Sequence, residues 1–138
     1  MQKRSLECRA ETMTFQFGMN GANEIRWVYV PDNVKSNALV VAIHSCQSSA
    51  QKYFANSKIP WHQGSDGKGY VTVWPSSTTE CWDVSSKASL THDGGGDSNA
   101  IANMIKYAID KYKIDPAKVY VTGGSSGGES FIRKEKWI

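Results

Sequence analysis

A chain of 138 residues is long enough for one domain with a buried core, and its 40% hydrophobic and 21% charged residues are ordinary for a globular protein. The net charge of +3 is spread over mixed acids and bases, and the one dense basic cluster, Arg133-Lys134-Glu135-Lys136, stands at the extreme C-terminus, so a nucleic-acid-binding role has little support. No apolar run is long enough to span a bilayer, and Met1 to Glu11 carries basic residues without the apolar stretch of a secretory leader.

In chain order, Ile25 to Val30 alternates and is rich in β-formers; it reads as an early strand closed by Pro31, with Pro31-Asp32-Asn33 as the turn. Ala38 to Ile43 is a short continuous apolar run with β-branched residues, the pattern of a strand buried on both faces of a parallel sheet, and it ends in His44-Ser45-Cys46. Gln47 to Phe54 fits one short helix, whereas Lys58 to Gly69, with Pro60, Gly64 and Gly67, reads as loop. Tyr70 to Trp74 is the next strand, stopped by Pro75. Ser76 to Gly96 is polar and aperiodic; loops this long are usually functional or disordered. Asp97 or Ser98 then caps a clear helix, in which Ile101, Met104, Ile105, Ala108 and Ile109 recur at helical spacing. Lys111 and Lys113 suit the negative pole of its dipole. Lys118 to Thr122 is a last strand entering Gly123-Gly124-Ser125-Ser126-Gly127-Gly128.

Strand alternating with helix implies an α/β fold with a mostly parallel sheet, whose ligands bind beyond the carboxyl ends of the strands. The His44, Pro75 and Ser125 regions all fall there. Five Trp and six Tyr are many for this length; for any one of them, core filling is the plainer reading and lining a sugar cleft the other. Three cysteines, Cys8, Cys46 and Cys81, form no C-x-x-C pair, so zinc and thioredoxin chemistry are poorly supported. An odd count fits one disulfide and a spare. Cys46 and Cys81, each following an expected strand at the same sheet end, are the preferred pair, with buried free thiols the alternative.

Gly123-Gly124-Ser125-Ser126-Gly127 matches G-x-S-x-G. The motif makes a sharp strand-to-helix turn that lifts one hydroxyl above the sheet, with glycines where side chains would collide. The N–H after the nucleophile, here that of Ser126, points toward an oxyanion hole at the positive end of the following helix. A phosphate loop is the rival, but no Lys follows Gly128. A plain Gly/Ser turn is the other, and it does not explain why a strand should end in such a motif.

Beyond that motif, several blocks resemble the fungal acetylxylan esterases of carbohydrate esterase family one, relatives of feruloyl esterases and polyhydroxyalkanoate depolymerases. They are Leu39-Val40-Val41-Ala42-Ile43-His44-Ser45-Cys46, Trp74-Pro75-Ser76-Ser77, Cys81-Trp82-Asp83-Val84-Ser85-Ser86, Leu90 to Asn99 and Val119 to Gly127. The likeness spans about residues 25–128 of a single domain, and 129–138 departs from it; Gln47 to Ala50 and Lys58 to Gly69 also follow the family poorly. The resemblance implies an α/β-hydrolase fold and an extracellular esterase that removes acetyl groups from xylan without metal or organic cofactor. It implies Ser125 as nucleophile and the backbone N–H groups of Cys46 and Ser126 as oxyanion hole. His44 would order backbone beside that loop, and Asp97 would cap its helix. Trp82 is read equally as a substrate-cleft wall or as core.

A serine esterase also needs a base and an acid, in this fold downstream of the serine. After Ser125 the chain has no His and no Asp, while His44, His62 and His92 all precede it. The expectation is therefore an incomplete α/β-hydrolase fold, lacking its C-terminal strands and helices and with an exposed edge at the last strand. Such a chain would be a truncated esterase without its triad Asp and His; the alternatives are a catalytically dead remnant with at most polysaccharide binding, or a feruloyl esterase-like enzyme.

Overall fold

The computed structural model describes residues 10–16, 23–56, 61–91 and 94–128. Its elements in chain order are β1 (Ala10–Gln16), β2 (Asn23–Tyr29), β3 (Leu39–Ile43), α1 (Ala50–Asn56), α2 (Trp61–Lys68), β4 (Val71–Ser76), α3 (Lys87–Leu90), α4 (Asp97–Tyr112) and β5 (Val119–Gly123). Cys8, His92 and the divergent segment 129–138 lie outside the described residues.

One sheet runs in the order β1-β2-β4-β3-β5. The expected parallel arrangement holds for β4, β3 and β5, while β2 joins β4 antiparallel and β1 joins β2 antiparallel, so the sheet is mixed. All five residues of β3 are buried, as its uninterrupted apolar run requires of a strand covered on both faces. Leu39, Val41 and Ile43 face α4, where Ile101, Ile105 and Ala108 complete a core with Val71, Val73 and Trp82. Ala42 faces the other way, into an aromatic cluster of Tyr29, Phe54 and Trp74 flanked by Trp27, Tyr53 and Trp61. Five of the eleven Trp and Tyr residues therefore belong to this cluster. No helix among the described residues is long and apolar enough to cross a membrane.

Four elements differ from expectation, one of them α3, a single turn inside the stretch 76–96 read as loop. β1 was not expected; AETMTFQ carries little apolar signal, and at the sheet edge it has one neighbour only. Trp61–Lys68 is helical despite two glycines. Here tertiary contact outweighs propensity: Tyr70 Oη donates to Trp61 O at 2.9 Å, and the same hydroxyl occupies the place a Gly64 side chain would need. Gly69, at φ 75°, then ends the helix, and its carbonyl accepts from Lys35 N and Ser36 N. Pro75 does not stop β4. It pairs with Arg26 of β2, while the β3–β4 ladder spans only Val71 to Val73, so Pro75 falls outside that parallel ladder.

His62 in α2 is stacked on the Phe54 ring at 4.6 Å, and its Nδ1 is buried without a partner. Burial holds the imidazole below its ordinary value of about 6.5, against a smaller upward pull from Asp66. The unfolded chain thus takes up a proton first on acidification. This part of the stability is complete above about pH 6.5 and declines as pH falls toward the depressed folded value. Thermal melts should accordingly drop from about pH 7.5 to about pH 5, and His62→Phe, which keeps the stack and cannot titrate, should flatten the drop. An unaltered slope in that variant would assign the effect to other groups.

Candidate active site

The site is built where β3 and β5 end side by side, with Ile43 and Gly123 in register. Beyond Gly123 the chain turns from strand to helix almost at once, and Ser126 to Gly128 are already helical. Ser125 takes φ 53°, in the left-handed region that costs a residue bearing a β-carbon roughly 1–2 kcal/mol. Its side chain is exposed, whereas Ser126 beside it is buried. Close backbone packing sets this reversal. A β-carbon at Gly127 would stand 2.5 Å from His44 O and 2.7 Å from Ile43 O, so the start of the helix rests directly on the end of β3.

Across from Ser125 runs the loop His44-Ser45-Cys46-Gln47. Cys46 Sγ lies 3.4 Å from Ser126 Oγ, 80 residues away in sequence, which brings together the two residues expected to supply oxyanion-hole N–H groups. Cys46 and Cys81 are joined as a disulfide, the preferred pairing. Gln47 has φ 60°, so the loop bends sharply after Cys46.

His44 is fully buried under this loop. Its Nε2 accepts from Ser77 N at 3.1 Å, which leaves the proton on Nδ1, 2.7 Å from the Ser45 carbonyl to which it donates. Both nitrogens are engaged, and burial keeps the imidazole below its ordinary value against the smaller effect of the Ser45 carbonyl. A ring so held orders backbone and has no nitrogen left to take a hydroxyl proton. His62 sits in the aromatic cluster and faces Phe54 and Tyr29 instead.

One residue left open by the sequence falls in the core, and one expected placement changes. Trp82 is 3% exposed, belongs to the core between β3 and α4, and donates its indole N–H to His44 O at 2.8 Å. This is the packing that its core reading describes. Asp97 is not the helix cap. Gly96 occupies that position, pressed against Ser89 where no side chain fits. Asp97 instead accepts from Asp83 N at 2.6 Å, which ties the long polar loop to the first turn of α4. Ser77 escapes a reading of sequence altogether, since it holds His44 through its backbone N–H and side-chain identity carries no mark of that. Among the described residues no group of three or more His, Cys, Asp or Glu is placed to hold a metal ion.

The sequence pattern of the esterase PHB depolymerase family matches residues 27–132. The chain is 48% identical over 114 residues to a probable acetylxylan esterase A of Aspergillus clavatus, covering 80% of this chain and 36% of that protein. It is 46% identical over 129 residues to acetylxylan esterase A of Aspergillus oryzae, covering 90% and 41%. It thus spans well under half the length of these relatives. Among solved structures, the acetyl xylan esterase from Aspergillus awamori superposes with a TM-score of 0.74 at 45% identity, over 85% of this chain and 43% of that one. An S-formylglutathione hydrolase from Staphylococcus aureus, 13% identical with a TM-score of 0.63, shares the fold alone. The fold is that of the α/β-hydrolases, as expected.

Proposed function

The chain belongs to the esterase PHB depolymerase family, and from that premise we propose that it carries the nucleophile and oxyanion hole of a serine carboxylic ester hydrolase that removes acetyl groups from xylan. The observation that carries this reading is Ser125 at φ 53° on an exposed strand-to-helix turn, with Cys46 and Ser126 drawn together beside it. A left-handed serine persists only where its surroundings enforce it, and such strain concentrates at working sites. Ser125 Oγ attacks the acetyl carbonyl carbon as a base takes its proton, and the carbonyl electron pair moves onto oxygen. The N–H groups of Cys46 and Ser126 stabilise that charge; on collapse the sugar oxygen leaves with the proton the base took, and an acetyl-serine remains for water to cleave.

The attack also requires a base for the hydroxyl proton. His44 and His62, committed as described, do not supply it. Because the chain spans 36% of the Aspergillus clavatus relative, the hydrolysis itself, its acetylated xylan substrate and a secreted location are all part of the proposal. The Cys46–Cys81 disulfide supports an oxidising compartment. The relatives' names favour acetyl over feruloyl esters.

The test exposes the 138-residue chain to a phosphonate ester probe, with hydrolysis of a small acetyl ester and of acetylated xylan followed in parallel, and repeats both with Ser125→Ala. Labelling of the unaltered chain, slow because neither His44 nor His62 serves as base, mapped to Ser125 and lost in the alanine variant, is the expected result. A folded chain that labels no better than Ser125→Ala would overturn the nucleophile assignment.

A further inference from the structure

Ser77 to Trp82 touch the oxyanion loop at three separate points. Ser77 N donates to His44 Nε2 at 3.1 Å, Trp82 Nε1 donates to His44 O at 2.8 Å, and Cys81 is bonded through sulfur to Cys46. The segment is itself braced. Ser77 Oγ and Thr79 Oγ1 both donate to Cys81 O, at 2.8 and 2.9 Å, and Glu80 takes φ 63° to close the turn. The loop it grips lies past the last β3 residue in register with β5, Ile43.

We infer that Ser77–Trp82 is a clasp that sets the position of the Cys46 backbone N–H, with the Cys46–Cys81 disulfide as its covalent strut and His44 as its positioning residue. The inference rests on the oxyanion role proposed above for that N–H. An oxyanion donor works only within about 2.7–3.1 Å of the charge that develops, so a loop free to drift loses most of the benefit. Trp82 fixes the carbonyl of residue 44 and Ser77 fixes its ring. With one end of the loop so held, the disulfide fixes residue 46. Burial disfavours protonation of the imidazole, and its neutral form keeps Nε2 free to accept from Ser77 N. Nothing in this role requires His44 to touch substrate.

The test uses the oxidised 138-residue chain with Cys81→Ala, His44→Phe and His44→Gln. The phenylalanine keeps ring volume against Trp82 and loses both imidazole hydrogen bonds; the glutamine restores an acceptor for Ser77 N. Two readouts are taken: amide hydrogen exchange over residues 44–48, and the concentration dependence of phosphonate labelling at Ser125. Cys81→Ala and His44→Phe should exchange faster in that segment and lose tenfold or more of the maximal labelling rate at unchanged half-saturation; removing an oxyanion donor outright costs about 10²–10³. His44→Gln should recover most of both. Unchanged exchange at 44–48, or a shifted half-saturation at full maximal rate, would overturn the clasp. If Cys81→Ala or His44→Phe fails to fold by circular dichroism, His44→Gln decides alone: native exchange supports the clasp, and exchange as fast as in the unfolded chain overturns it. Absence of labelling in the unaltered chain would sink the nucleophile assignment and leave the clasp to be judged on exchange.

Discussion

Gly127→Ala should cost the protein several kcal/mol and with it the whole site. Overpacking a tight core typically costs about 1–3 kcal/mol when flexible side chains can yield. Here the opposing atoms are the carbonyl oxygens of His44 and Ile43, at 2.5 and 2.7 Å from the new methyl, and neither can move without pulling β3 or its loop. The serine turn and the oxyanion loop would be forced apart together. Urea unfolding at neutral pH should show a midpoint far below that of the unaltered chain, with labelling at Ser125 lost in parallel. Gly124→Ala is the control. A β-carbon there meets nothing within 4 Å, so its midpoint should be nearly unchanged. Equal midpoints for the two variants would mean that helix and strand do not meet as described.

Trp82→Ala should be comparably severe. Truncating a buried tryptophan costs about 3–5 kcal/mol through lost transfer free energy and the cavity left behind. Trp82 is 3% exposed within the core shared by β3 and α4, and its N–H satisfies the carbonyl of the fully buried His44. Trp82→Phe separates the two contributions. It retains most of the packing and leaves the His44 carbonyl without its donor, a loss of about 1–3 kcal/mol. Chemical denaturation of the three proteins should therefore rank them unaltered, Phe, Ala. A near-silent Trp82→Ala would return Trp82 to the surface of a cleft.

Much of this could be read from the chain alone, and the reasons differ by element. β3 is legible because a strand covered on both faces needs an unbroken apolar run, and Leu39 to Ile43 is one. α4 is legible because Ile101, Met104, Ile105 and Ala108 repeat at the period of the helix they form. α2 is not, since Gly64 and Gly67 argue against a helix locally and only the Tyr70 hydroxyl and the aromatic cluster decide for it. Pro75 ends a strand by rule and here does not, because its place is beyond the β3 ladder. At the site, the serine motif stands out through its glycines, whereas the left-handed φ of Ser125 is a property of the folded backbone. The tie from Ser77 to His44 is hidden for another reason: it uses a peptide N–H that every residue but proline possesses.

The Cys46–Cys81 disulfide also bears on how the chain reaches its fold. Its sulfurs are 35 residues apart, and the ring they close contains α1, α2 and β4. A ring of that length removes disorder from the denatured chain worth about 4 kcal/mol. It also keeps β3 and β4 near each other before either is paired, which shortens the search for a parallel contact that is otherwise slow because it is non-local. Oxidation thus precommits the chain to one crossover. The ring, which carries Phe54 and Trp74 of the aromatic cluster, is the part of the molecule expected to open last when the outer strands fray.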